Sequence, residues 1–393
     1  MRKENRMLWK YKRVLASLVA FVVVGAGLGF IYSRAYQPNA ASLQSTSLGK
    51  PATHVEEQRI TSSPGLIIQG EAYKITSPST GANVLLFSPD GKNLLVGRPS
   101  SSKAPVDSQV LEVWDVQTRR KKFGRDIRES QTTWLPDGIS QIIYSPDGKT
   151  VVTLHLNDKV HIWDSKHFKE NHVIGQALKS SLQGHSIAAI GFSADGKLLL
   201  YLDDTSQIVK FDFKSRKPEV LMDVAPESIV VFSPAGSSIA VGSWSGSTLN
   251  LKLFSVTTGR QTRFISSYNN EPVIPIFSAD GALLVVPTPD VLQVWDTTTV
   301  GPVTTLPRSG WAGESVTFSP SMPLLASDDG DGEIHIWNLQ SPNQPMTIVT
   351  DNTEAKLAFS PDGRILAGGF ENGVVTLWKL KPLKFADQKR NKP

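Results

Sequence analysis

Cysteine is absent from all 393 residues. That excludes disulfide staples, thiolate metal sites, a thiol nucleophile, haem attachment through Cys and lipidation on Cys. A chain this long can bury enough surface to be stable without disulfides. Excess charge of one sign is absent beyond the N-terminus. Residues 1–13 carry Arg2, Lys3, Arg6, Lys10, Lys12 and Arg13 against Glu4, which accounts for the whole net charge of +5. The remainder is balanced, so a basic domain for nucleic acid is not indicated. No Asn-x-Ser/Thr sequon occurs, which leans toward a bacterial envelope rather than a eukaryotic secretory lumen. There is no Gly-x-Ser-x-Gly elbow, phosphate-cradling loop, kinase motif or His-Glu-x-x-His pattern.

Long apolar runs are also scarce, with one exception. Residues 14–32 read VLASLVAFVVVGAGLGFIY without a charge. As a helix this run is about 28 Å long, close to the ~30 Å hydrocarbon core of a bilayer. Basic residues crowd its N-terminal side, so the positive-inside bias keeps residues 1–13 as a cytoplasmic tail and carries the rest across the membrane. A cleaved signal peptide is the rival reading. Its apolar core is usually shorter, about 7–15 residues, and the run length favours an uncleaved anchor. Residues 33–63, rich in Ser, Thr, Ala, Gln and Pro, read as a flexible linker.

From residue 64 onward a repeat governs the chain. Phe-Ser-Pro-Asp-Gly or a close variant begins at Phe87, Tyr144, Phe192, Phe232, Phe277, Phe318 and Phe359. The spacing is 40 to 57 residues, the range of propellers and solenoids. A second aromatic follows each phrase: Trp114, Trp163, Phe211, Phe254, Trp295, Trp337 and Trp378. Short β-branched stretches such as 139–143 and 229–231 lead into the phrase. Pro then fixes φ, Asp bonds its own backbone and Gly takes φ > 0, which makes a turn. Second strands follow at 94–97, 151–154, 283–286 and 365–368. A third alternates and ends on the aromatic, as in Val160-His161-Ile162-Trp163.

With Trp-Asp at Trp114-Asp115, Trp163-Asp164 and Trp295-Asp296, and Trp337-Asn338 and Trp378-Lys379 as variants, residues 64–383 resemble the WD40-repeat β-propellers. The resemblance implies an all-β, seven-bladed propeller of four-stranded blades, preceded here by one N-terminal transmembrane helix and followed by a tail at 384–393. It also implies that the last blade borrows its outer strand from the N-terminal end of the domain; 65–69 or 71–75 is free to serve. The family's Gly-His pair survives only at Gly184-His185, and its turn Asp matches at Asp331 and, as Asn, at Asn157 and Asn372. The buried His–Asp network of the family's most regular members is therefore expected to be mostly absent.

Few residues offer chemistry. The 328–333 stretch, Asp-Asp-Gly-Asp-Gly-Glu, begins like a calcium loop, but Gln340 stands where a bidentate Glu would be needed. A hairpin turn explains it, and no metal is expected. His155, His161, His167 and His172 lack ligand spacing and read as surface and loop histidines. The basic run Arg119-Arg120-Lys121-Lys122, with Arg125 and Arg128, reads as a solvated loop that could touch an anionic surface.

Aromatics outside the repeat are more informative. Trp244 and Phe370 fall in turns between second and third strands. Trp134, Trp311 and Tyr268 fall in segments leading into a first strand. The resemblance places both kinds of segment, with the long insertion 98–108, on the face where partners commonly bind, and Trp and Tyr are favoured interface anchors. The expectation is a non-enzymatic scaffold without cofactor, anchored in the cytoplasmic membrane with the propeller outside. It binds a protein or peptide through Trp134, Trp244, Tyr268, Trp311 and Phe370. The alternatives are a propeller enzyme of hydrolase or lactonase type working from the central channel, or a ligand sensor.

Overall fold

The computed structural model describes residues 66–68, 73–76, 81–98, 111–125, 138–155, 159–173, 187–203, 205–269, 274–288, 290–299, 301–308, 315–330, 332–352 and 354–382. The expected tail, membrane helix and most of the linker lie outside these residues, as do Trp134 and Trp311. Among the described residues no helix is long and apolar enough to cross a membrane.

What is described is all β. Seven antiparallel sheets follow one another along the chain, and each repeat phrase marks one of them. Blade 1 spans 84–125, blade 2 139–173, blade 3 187–223, blade 4 229–269, blade 5 276–307 and blade 6 316–349. Each of these six has four strands in simple up-and-down order. Blade 7 supplies only three from residues 355–382. Its outer position is filled from the far end of the domain. Leu66–Ile68 pairs with Leu380, Lys381 and Pro382, and Tyr73–Thr76 pairs with Val374 to Leu377. Both candidate segments are used, in two pieces along one strand.

Among the described residues the core falls into seven clusters, one between each pair of neighbouring blades. Phe192, Leu199 and Tyr201 of blade 3 pack on Val152 and Ile162 of blade 2. The same arrangement recurs around the ring. The seventh cluster joins Ala358, Ala367 and Leu377 of blade 7 to Leu85, Leu94 and Trp114 of blade 1, which closes the ring. Alternation makes this possible: successive side chains of one strand face opposite neighbours. Fully burying one such Leu or Val contributes about 1.5–3 kcal/mol.

The repeated phrase is a hydrogen-bonded turn between first and second strands. In blade 2 the Ser145 hydroxyl donates to Asp147 Oδ1 (2.7 Å), and the backbone N–H groups of Lys149 and Thr150 donate to Asp147 Oδ1 and Ser145 Oγ. The same set forms at Ser88, Ser193, Ser278 and Ser360. These turns touch from blade to blade. A Cβ on Gly236, whose φ is +68°, would lie 2.3 Å from the Ala194 nitrogen of blade 3. Glycine is required there for both conformation and room. The Asp of the Trp-Asp pairs serves a second turn: Asp115 Oδ1 accepts Thr118 N–H (2.7 Å) and Asp164 Oδ1 accepts His167 N–H (2.8 Å).

Candidate functional site

Blade 4 departs from its neighbours on the face opposite the Ser-Pro-Asp-Gly turns. Its second, third and fourth strands, Ser238–Ser245, Thr248–Ser255 and Gln261–Asn269, have 8, 8 and 9 residues. The second strands of blades 1 and 3 have 5 and 6. The first strand of blade 4 ends its pairing at Ile229–Gly242. The second continues past it through Ser243, Trp244 and Ser245, which pair with Asn250, Leu249 and Thr248. A hairpin therefore stands above the ring, its tip turned by Gly246 (φ +61°). The residues at the tip, Ser245 to Ser247, are exposed.

Trp244 lies in this hairpin's strand, not in the turn as expected. It is half-buried and rests on the cluster between blades 4 and 5. Tyr268 lies at the end of the fourth strand, not in a segment entering a first strand, and belongs to the same cluster. Cross-strand pairing sets Trp244, Leu249 and Tyr268 in one row. Tyr268 is only 8% exposed; its hydroxyl donates to Gln293 Oε1 of blade 5 (3.0 Å), and burial pushes its ionisation up to about 12. It braces the hairpin and offers a partner little surface.

Phe370 is corrected further. The second strand of blade 7 runs Ile365–Phe370, so the residue ends a strand. Its ring is 2% exposed and meets Trp378 edge-on at 6.4 Å. It packs the joint between blades 6 and 7 and is not presented to a partner. Arg98, at the start of the long insertion, is likewise buried, at 0% exposure.

The polar side chains of the first strands, which surround the axis, are mostly engaged with neighbouring backbone. Gln141 Nε2 donates to Ile190 O and its Oε1 accepts Ile190 N–H, both at 3.2 Å, joining blades 2 and 3. Ser140 donates to Leu154 O. Ser315 Oγ, preceding blade 6, accepts Leu357 N–H of blade 7. On the second strand of blade 6, burial pushes Asp328 up to about 7 where the blade meets Ala355 and Lys356 of blade 7. Its Oδ1 has no hydrogen-bond partner.

Two histidines read as surface groups are instead buried. His155 and His161 are each 2% exposed, with ring centroids 4.5 Å apart. Trp163 Nε1 donates to Thr153 Oγ1 (3.0 Å), which contacts His155 Nε2 (3.1 Å). His161 Nδ1 meets Glu170 (2.5 Å), which also binds Arg125 of blade 1 (2.9 Å). Burial holds the His161 imidazole below its usual value, against the pull of Glu170. The Arg125–Glu170 contact joins neighbouring blades across 45 residues of sequence, which no local reading of the chain reveals.

A third grouping was read only as a turn. Asp329, Glu333 and His335 of blade 6 bring one donor atom each within 4.8 Å of one another. His335 Nε2 lies 3.7 Å from Asp329 and 3.8 Å from Glu333, while Nδ1 contacts Thr347 Oγ1 (2.9 Å). These groups could accept a cation, and the same arrangement serves equally as a hairpin clasp, since Asp329 Oδ1 accepts Glu333 N–H.

No family model matches the chain. Among curated proteins it is similar to Protein HIR1 of Candida albicans, 22% identical over 89% of this chain and 36% of that protein. It is similar to apoptotic protease-activating factor 1 of Rattus norvegicus, 24% identical over 73% of this chain and 25% of that protein. The Protein LST8 homolog of Drosophila melanogaster is 28% identical over 22% of this chain and 30% of its own length. The chain thus spans about a quarter to a third of the length of the relatives it matches. The ring of seven sheets, the spaced Trp-Asp and Ser-Pro-Asp-Gly turns and these similarities together support a WD40-type β-propeller.

Proposed function

We propose that this propeller is a non-enzymatic interaction scaffold, held at the cytoplasmic membrane by residues 14–32 with the ring outside, and that it grips a protein or peptide at the projecting hairpin of blade 4. The observation that carries this reading is the overrun of three residues, Ser243 to Ser245, which lifts a half-buried Trp beside an exposed tip. A half-buried Trp held by its hairpin partner Leu249 loses little entropy on binding and suits an interface anchor. The likeness to WD40-type proteins supports a scaffold. Membrane tethering would raise effective concentration toward partners on the same surface without any new contact. The engagement of Gln141, Ser140 and Ser315 with backbone favours this over the channel enzyme, which needs polar groups free to converge on a substrate.

In-cell crosslinking with mass spectrometry tests the reading, comparing wild type with Trp244→Ala. Crosslinks from the hairpin to one partner, lost in the variant while its melting curve stays close to wild type, are expected. Unchanged partner recovery from folded Trp244→Ala would overturn the hairpin as the contact. Protease access in spheroplasts tests sidedness: digestion of the propeller from outside is expected, and protection contradicts it.

A further inference from the structure

The joint between blades 7 and 1 holds a cavity of about 340 Å³ on the side of the ring opposite the blade 4 hairpin. Ile365, Leu377 and Val116 give it an apolar wall. Lys92, Arg119 and Lys379 surround it, against one acid, Asp115. That acid is already engaged: Lys122 Nζ lies 2.7 Å from it, and Lys122 together with the Thr118 N–H holds its carboxyl well below the usual range. Lys92 has only a long, exposed contact with Asp90 (3.7 Å). Among the described residues, Arg119 and Lys379 face no acid. Both lie over the ring of Tyr73, at 3.5 and 5.2 Å from its centroid.

Among the described residues, the equivalent positions of blades 2 and 4 are occupied differently. Arg119 occupies a left-handed turn position (φ +60°) that Phe168, Arg216 and Gly259 occupy in blades 2, 3 and 4. In blade 2 the equivalent Phe168 stacks on Phe123 of the preceding outer strand, at 5.6 Å. In blade 4 the equivalent Gly259 sits close against Leu221. At the joint the preceding outer strand is the borrowed segment, and it presents Tyr73. A guanidinium stacked on a ring keeps its N–H groups in plane and available, the geometry for bidentate binding of an oxyanion. Three cations against a single, neutralised carboxylate match a dianion better than a single carboxylate. The volume is that of a small-ligand site.

We propose that this cavity binds a phosphate monoester, with the phosphate between Arg119, Lys379 and Lys92 and the ester's organic part against Ile365, Leu377 and Val116. The group could belong to a soluble metabolite or to a lipid headgroup. The site is independent of the blade 4 hairpin.

Lysine footprinting with an amine acylating reagent tests it on the full chain in phosphatidylcholine nanodiscs. Lys149 and Lys197 are internal controls, because each follows its own Ser-x-Asp-Gly turn as Lys92 does and pairs with the same kind of Asp. Glycerol 3-phosphate is expected to protect Lys92 and Lys379 saturably and to leave Lys149 and Lys197 reactive. Nanodiscs carrying phosphatidic acid give the second arm; protection in one arm alone supports the site and identifies the source. Arg119→Asn, which keeps a residue tolerant of positive φ, should weaken protection by about tenfold, the scale of a lost bidentate charged contact. Arg216→Asn should not. Failure of both probes to protect the two lysines, indifference to Arg119→Asn, or equal protection by a poly-glutamate peptide would overturn the proposal.

Discussion

The joint between blades 7 and 1 and the joint between blades 4 and 5 do the same work by different means. Between blades 4 and 5 the buried contact is apolar, built from residues such as Leu249, Leu251, Phe277 and Leu284, with a hydroxyl bond from Tyr268 to Gln293 and, at the exposed rim, Arg263 donating to Thr298 O and Thr299 O. Between blades 7 and 1 a similar cluster is present, but directional groups join it. Arg98 and Glu112, 0% and 1% exposed, form an ion pair at 3.0 Å. Trp114 Nε1 donates to the same Glu112 oxygen (3.0 Å), and Arg98 reaches Gly373 O of blade 7 (3.4 Å). Ala82 N–H donates to Phe370 O across the joint. Apolar contact is non-directional and dominates the buried part of the joint between blades 4 and 5. Where strands some 300 residues apart in sequence meet, Arg98 and Ala82 add directional contacts to the backbone of blade 7.

The largest expected effect follows from that difference. Arg98→Met removes the cation facing a buried carboxylate and should cost about 3–5 kcal/mol in urea unfolding, whereas Arg98→Met with Glu112→Leu should recover most of the loss. Equal losses in single and double variants would contradict an unpaired buried carboxylate as the source of the loss. Next, Phe370→Ala should cost about 3–5 kcal/mol as a core truncation. Trp244→Ala should cost about 1–2 kcal/mol because its ring is half-buried. The reverse order in thermal melts would return Phe370 to the surface. Asp328→Asn sharpens the comparison through pH. The native carboxyl keeps its proton to about pH 7, while the unfolded chain releases it near 4. Stability of the wild type therefore falls as pH rises through that window and levels above it. The variant should gain on wild type at pH 8 relative to pH 4; parallel curves would contradict the burial. The smallest effect is Ser145→Ala, about 1 kcal/mol, since one turn loses a hydroxyl that both donates and accepts.

The ring was legible because its signals are local and repeated. Each Ser-Pro-Asp-Gly turn and each spaced aromatic can be read within one stretch of about 40 residues, and the borrowed outer strand follows from the resemblance. The residues that give the surface its character were not. Trp244 and Phe370 sit in matching sequence contexts, yet one is half-buried and the other sealed. The difference is the length of the blade 4 strands, a property of pairing rather than composition. The His155–His161 and Arg98–Glu112 pairs depend on strand register within one blade, and the cations around Tyr73 depend on which blades touch. Tyr73 and Arg119 become neighbours only once the ring is shut.

That closure can be measured directly, because a chain without cysteine makes any crosslink unambiguous. Lys74 and Thr376 are directly opposed in the register of the borrowed strand. With both replaced by cysteine, oxidation should give an intramolecular disulfide in nearly all of the folded monomer, seen as a mobility shift that reductant reverses. Absence of the crosslink, or a crosslink that forms only between molecules, would show that Tyr73–Thr76 does not complete the last blade of its own ring.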